Sequence, residues 1–153
     1  MHIIEARSLE QIELAASLFR EYHQFLNVDL CFQGFEQELA NLPGKYAEPT
    51  GSILLAEYQD EIVGCVAVRA INEQNCEMKR LYVRPSSQGL SAGRLLVEAI
   101  IVKAKQLGYH KMRLDTLKRL DTAIGLYLKL GFVEIDAYYT NPLSEVVFLE
   151  LQL

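Results

Sequence analysis

The sequence predicts one α+β domain built on a mixed sheet, and three observations carry that reading. Segments of strand-like and helix-like periodicity follow one another in the order β-α-α-β-β-β-α-β-α-β-β. One helix is entered from a strand through the glycine-containing run Gln88-Gly89-Leu90-Ser91-Ala92-Gly93 and is followed by another strand, which fits a parallel crossover. The length of 153 residues, 50% hydrophobic and 23% charged, suits a single folded core, so residues 1–153 read as one domain. No internal repeat, low-complexity tract or linker-like shift divides them.

Each element has its own signal. His2 to Ala6 reads as a short strand. Ser8 and Gln11 resemble a capping box, and Ile12, Ala15, Ala16, Leu18 and Phe19 recur at helical spacing, with the helix ending near Phe25 to Val28. Asn27 to Gln33 is irregular. A second amphipathic segment carries Phe32, Phe35, Leu39 and Leu42 and stops at Pro43-Gly44. Ser52 to Tyr58 and Glu61 to Ile71 form a hairpin around Gln59-Asp60, and Cys76 to Arg84 follows the polar break at Asn72 to Asn75 as a third antiparallel strand. The helix after the glycine run lasts to Leu107-Gly108. Lys111 to Thr116 is a strand, about Leu120 to Leu130 a helix closed by Gly131, and Phe132 to Tyr139 and Val146 to Leu153 are two last strands.

Composition narrows the function classes. A net charge of −5 gives no basic field for nucleic acid, although Lys79, Arg80, Arg84 and Arg94 flank the glycine run and suit a small polyanion. Cys31, Cys65 and Cys76 fall in no metal-ligand spacing and read as reduced, mostly buried thiols, and His2, His23 and His110 are scattered, so no metal is expected. There is no basic leader followed by an apolar stretch, and the apolar run from Leu95 to Val102 is broken by Glu98 and too short to span a bilayer. The expectation is a soluble, cytoplasmic protein with no membrane contact.

A strand, a glycine loop and a helix aim backbone N–H groups and a helix N-terminus at an anion, usually phosphate. Gly93 adds to this. A glycine at a helix start costs about 1 kcal/mol relative to alanine, which suggests that something approaches the backbone closely. Taken alone, the same glycines also fit a plain turn.

The block Val83-Arg84-Pro85-Ser86-Ser87-Gln88-Gly89-Leu90-Ser91-Ala92-Gly93 resembles the acetyl-CoA loop of the GNAT superfamily of N-acetyltransferases, whose pattern here runs from Gln88 to Gly93. Ala123-Ile124-Gly125-Leu126-Tyr127-Leu128-Lys129-Leu130-Gly131-Phe132 resembles the family's later block, an Ala-x-x-Leu-Tyr helix ending in Gly-Phe. The element order is also the family's, and the resemblance covers essentially the whole chain. Two departures stand out. Ser91 replaces the loop's middle glycine, so the cradle survives if the local φ is negative, and its hydroxyl can cap the helix or donate to phosphate. Leu120 stands where many relatives carry an asparagine.

The resemblance implies acetyl-CoA as co-substrate, lying between two splayed parallel strands, here Leu81 to Val83 and Lys111 to Thr116. Backbone groups of Leu81, Tyr82 and Val83 would hold the pantetheine arm and polarise the thioester carbonyl. The N–H groups of Gln88, Gly89, Leu90, Ser91, Ala92, Gly93 and Arg94 would hold the pyrophosphate. Tyr127 resembles the general acid for the departing thiolate, whose free thiol has a pKa near ~8.5; by spacing alone it is a core aromatic. Glu77 is the candidate base, with Glu134 and Asp136 behind it; by itself Glu77 reads equally as an edge carboxylate paired with Lys79 or Arg80. Strand parity puts Glu77, Lys79, Leu81 and Val83 on one face unless a bulge intervenes.

The acceptor would meet the first two helices and the last hairpin, which offer Tyr22, His23, Phe32, Phe35, Tyr138, Tyr139 and Asn141; Tyr138 and Asn141 are the substrate-binding candidates. The expected activity is acetyl transfer to a primary amine of a small molecule or peptide by direct attack in a ternary complex, and a homodimer is compatible with it. The alternatives are a non-catalytic acyl-CoA-binding sensor and an interaction module whose loop is a mere turn.

Overall fold

The computed structural model describes residues 1–30 and 34–153; Cys31 and Phe32 therefore lie outside the described residues. In chain order the elements are β1 His2–Glu5, α1 Leu9–Leu26, α2 Phe35–Ala40, β2 Ser52–Tyr58, β3 Glu61–Ala70, β4 Asn75–Val83, α3 Ala92–Gln106, β5 Lys111–Leu117, α4 Asp121–Lys129, β6 Val133–Ile135 and β7 Val146–Gln152. Short 3₁₀ turns at Gly44–Tyr46 and Pro85–Ser87 were not anticipated.

Local chemistry explains most boundaries. Ser8 caps α1 in a reciprocal box with Gln11, and Asn27 closes the helix in the left-handed region. Gln59 and Asp60 both have positive φ, the two-residue hairpin turn that matches strand twist. The second helix is shorter than its apolar pattern suggests, only Phe35–Ala40. The strand expected over Phe132 to Tyr139 stops at Ile135. Its tail turns away because Tyr138 and Tyr139 find hydroxyl partners on other strands, described below.

The seven strands lie in the order β1-β2-β3-β4-β5-β7-β6. All neighbours are antiparallel except β4 and β5, which α3 joins as the predicted parallel crossover. Alternation along the strands sorts two cores. Leu54, Ala56, Val66, Val68, Met78, Met112 and Leu114 face α3, where Leu96, Val97, Ile100 and Ala104 are buried. Ile53, Leu55, Cys65, Ala67 and Tyr82 face α1 and α2, against Ala15, Leu18, Phe19 and Phe35. Burying both faces of the sheet is the main driving force for this layering. Cys65 and Cys76 are buried free thiols. Among the described residues, no helix is long and apolar enough to cross a membrane.

Two irregularities shape the centre of the sheet. β4 and β5 pair only over Asn75–Lys111, Cys76–Met112 and Glu77–Arg113, although both strands continue for several residues. From Met78 and Leu114 onward they diverge. On its other side β4 carries a bulge: Cys65 pairs with Tyr82 and Ala67 with Lys79, so Arg80 and Leu81 together oppose Val66. Arg80 adopts φ 60 to make that bulge. Parity therefore shifts, the exception allowed for in the sequence, and the four residues do not share one face. Glu77 and Lys79 stay on the α1 side, while Leu81 and Val83 pack against the α3 core.

Candidate active site

The divergence of β4 from β5 opens a cleft lined on one arm by Met78, Lys79, Arg80 and Leu81 and on the other by Leu114, Asp115, Thr116 and Leu117. Tyr22 of α1 and Tyr127 of α4 reach it from opposite sides of the sheet, and Asn141 comes from the segment between β6 and β7. Tyr127 is 4% exposed and its ring packs 5.6 Å from Phe132, so its core role and its place at the cleft coexist. Burial raises the Tyr127 phenol well above its ordinary value, which keeps it protonated throughout the neutral range. Burial likewise pushes Tyr22 up to about 12.

The bulge is held by its side chain. Arg80 donates to both oxygens of Glu38 at 2.9 and 3.2 Å, and its guanidinium lies 5.1 Å from the centre of the Phe35 ring. Both contacts reach α2, so the first helices are tied to the point where β4 bends. His23 and Phe35 stack at 4.7 Å, and the His23 ring also meets the Val28 carbonyl at 3.0 Å; these are packing roles.

Glu77 is neither edge-exposed nor paired with Lys79 or Arg80. It is 4% exposed, with Oε1 3.0 Å from Arg69 Nε and Nη2 and Oε2 accepting the Tyr138 hydroxyl at 2.6 Å. Strand register explains the pairing: Arg69, Glu77, Arg113 and Glu150 stand side by side on β3, β4, β5 and β7. Their signs alternate, and Arg113 closes on Glu150 at 2.8 Å while facing the Tyr138 ring at 5.6 Å. Like-charge neighbours are avoided all along the row. Glu134 and Asp136 are exposed and do not line the cleft.

Sequence reasoning missed Asp115 and the role of Lys79. Asp115 Oδ2 accepts the Tyr139 hydroxyl at 2.6 Å and the Asn141 amide at 3.2 Å, and Oδ1 lies 3.5 Å from Lys79 Nζ. Both side chains are nearly buried, at 11% and 5% exposure. Desolvation lowers the Lys79 ammonium from its ordinary value, against the pull of Asp115 and Glu77. The signal was present in the alternation Lys111, Arg113, Asp115, a strand of the sheet centre with a charge at every second position. Tyr138 and Tyr139 thus grip the two carboxylates, their rings 5.3 Å apart and both packed on Phe148.

Beyond β4, Gln88, Gly89, Leu90 and Ser91 form an exposed loop leading into α3. Gly89 has φ 86 and Ser91 has φ 63: the condition of a negative φ is not met, and the serine instead takes the left-handed backbone that a glycine would take there. Nor does its hydroxyl cap the helix: α3 starts with no side-chain cap bond. The first N–H groups of such a helix have no intrahelical acceptor. Among the described residues a Cβ on Gly93 would meet only Val83 Cγ2, at 3.9 Å, so none of them requires glycine there. Arg94 turns its side chain to Glu98 at 2.7 Å. Tyr82 packs its ring against Tyr22 and Phe25, which leaves only its backbone for a ligand on the β5 side.

A parallel strand pair that splays beside an uncapped helix and a glycine loop is the arrangement of acyl-CoA N-acyltransferases. Residues 12–132 match the family model described as the Acetyltransferase (GNAT) family, and the chain belongs to that family. It is 46% identical over 138 residues to an uncharacterized N-acetyltransferase of Schizosaccharomyces pombe, covering 89% of this chain and 85% of that one. An uncharacterized N-acetyltransferase of Dictyostelium discoideum is 35% identical, covering 99% and 98%. Among solved structures, YncA of Salmonella typhimurium, determined with its cofactor acetyl-CoA, superposes with a TM-score of 0.74 at 19% identity over 99% of this chain and 93% of that one. The chain is an acetyl-CoA-dependent N-acetyltransferase.

Proposed function

We propose that acetyl-CoA lies across the β4–β5 divergence and that a primary amine of a small molecule or peptide attacks its thioester directly, in a ternary complex. The observation that carries this reading is the end of β4–β5 pairing at Glu77–Arg113, which leaves an open strand edge leading to the N-terminus of α3. The pantetheine arm would extend along Leu81 to Val83 as an added strand. The pyrophosphate would rest on N–H groups from Gln88 to Arg94, at the positive end of the helix dipole. The fit has support in this chain: Gly93 has no internal reason to be glycine, and the helix lacks its own cap.

In the transfer, the amine nitrogen forms a bond to the acetyl carbon, the carbon–sulfur bond breaks, and the sulfur leaves as a thiolate. Tyr127 gives that thiolate its proton. A thiolate developing in the same desolvated cleft is itself made more basic, which favours the transfer. The amine's proton goes toward Glu77. Because Oε2 of Glu77 already accepts from Tyr138, the hydroxyl of Tyr138 would pass its proton to Glu77 as it receives one from the amine. Tyr138 and Asn141 would both stand at the acceptor side.

The test is CoA-thiol release from acetyl-CoA with a panel of amines. Tyr127→Phe should lower kcat by about 100-fold or more at every pH from roughly 6 to 9. Turnover left intact over that range would remove Tyr127 as the acid. Tyr138→Phe, which leaves the Arg69–Glu77 pair in place, should lower kcat with little change in acetyl-CoA binding.

A further inference from the structure

The cleft holds a second charged pair besides the Arg69–Glu77 row. Lys79 on β4 and Asp115 on β5 face each other across the divergence at 3.5 Å, longer than the roughly 2.7–2.9 Å of a closed charge-assisted hydrogen bond. A buried ion pair is a poor source of stability, since desolvation consumes most of its attraction. Asp115 is oriented by two donors from one segment, Tyr139 and Asn141. Besides the polar Tyr22, Arg80, Thr116 and Asn141, the lining has an aliphatic part: Leu26, Val28 and Leu30 at and just beyond the end of α1, and Leu143 and Val146.

We propose that the acceptor is an apolar amino acid whose ammonium is held by Asp115, whose carboxylate is held by Lys79, and whose side chain lies on that aliphatic lining. The inference rests on the acetyl-transfer reading and adds the substrate class. A zwitterion laid antiparallel to a Lys–Asp pair leaves the net charge of the cleft unchanged and brings each of the two buried charges a further opposite one. An amine without a carboxylate shares Asp115 with Lys79 and adds a positive charge beside it without adding a negative one. Lys79, whose charged form burial already disfavours, gains most from an incoming carboxylate. The ammonium stays on Asp115 until its proton leaves toward Tyr138 and Glu77, and the free amine then attacks.

The experiment uses the full chain with leucine, leucinamide and 3-methylbutylamine, the last being leucine without its carboxylate. Binding to the CoA-loaded protein is followed by calorimetry and turnover by CoA-thiol release. Leucine should exceed both analogues by about tenfold or more in each measurement, the size expected for one charged contact. Lys79→Gln should shrink the leucine preference to within about threefold, and Asp115→Asn should weaken all three amines. The wild-type series decides the matter even where a variant does not fold. Equal handling of leucine and 3-methylbutylamine would overturn the amino-acid assignment while leaving acetyl transfer standing. Preferential leucine binding with no acetylation of any amine would support the site and overturn the transfer reading; no binding and no turnover of leucine would overturn the amino-acid assignment, and only the absence of CoA release with every amine of the wider panel would overturn both.

Discussion

Ser91 is where this cradle departs from an all-glycine loop, and its backbone makes the consequence measurable without any ligand. With φ 63 it occupies the left-handed region, which costs an L-residue roughly 1–2 kcal/mol. Glycine removes that cost but gives back roughly 0.5–1 kcal/mol through the greater freedom of the unfolded chain. Ser91→Gly should therefore stabilise the fold by about 0.5–1 kcal/mol, or a melting shift of roughly 1–4 °C for a chain of this length. Gly89 is the mirror case: φ is 86 and an added Cβ has no heavy atom within 4 Å, so Gly89→Ala should cost a similar amount through φ alone. Ser91→Ala should be near neutral, within about 0.5 kcal/mol, because no cap bond is lost; a capping serine would cost about 0.5–2. Urea unfolding of the three variants, with the slope m unchanged, checks all of this. A lowered midpoint for Ser91→Gly, or a cost of about 1 kcal/mol or more for Ser91→Ala, would refute the reasoning.

Gly93→Ala should separate folding from cofactor binding: the new methyl clears Val83 and favours the helix by up to about 1 kcal/mol, while KM for acetyl-CoA rises. An unchanged KM would show that the cofactor does not approach that backbone. Alkaline stability should carry a signature of Cys76, whose thiol burial pushes up to about 12 from an ordinary 9.0. Above pH 9.0 the unfolded thiol ionises while the folded one keeps its proton, so stability falls as pH rises toward about 12. Cys76→Ala should flatten that limb by up to about 1.4 kcal/mol per pH unit in pH-dependent denaturant melts, and an unchanged slope would exclude the assignment.

What could be read from the chain were features whose causes lie within a few residues. The Ser8–Gln11 box, the Gln59-Asp60 turn and the parallel crossover around the glycine loop are of this kind. The shortened last strand is not, because Tyr138 and Tyr139 leave it for carboxylates 61 and 24 positions away. A bulge in β4 was allowed for, but its place and its cause were equally hidden. Arginine carries no preference for positive φ, and Arg80 adopts it because Glu38 and Phe35, far away in sequence, receive its guanidinium. That bulge moved Leu81 and Val83 off the face of Glu77 and onto the α3 core. Asp115 was passed over since a lone aspartate in a strand has no motif; its meaning comes from Lys79, on the neighbouring strand.

The position of the cleft follows from where the charges fall. The row Arg69, Glu77, Arg113, Glu150 crosses four strands at the last pair that β4 and β5 share, and each of its charges has a neighbour of opposite sign. Two residues further along both strands, Lys79 and Asp115 stand on the same side of the sheet but without flanking charges at that level on β3, where Ala67 pairs with Lys79, or on β7, where Phe148 pairs with Asp115. A closed, dry pair at that level would be costly. Divergence of the strands keeps it accessible to a polar ligand, while Tyr139 and Asn141 orient Asp115 from the side. On the proposed function the splay would serve both substrates at once: it frees the β4 edge along which a pantetheine arm would extend, and it leaves the Lys79–Asp115 pair open to an acceptor.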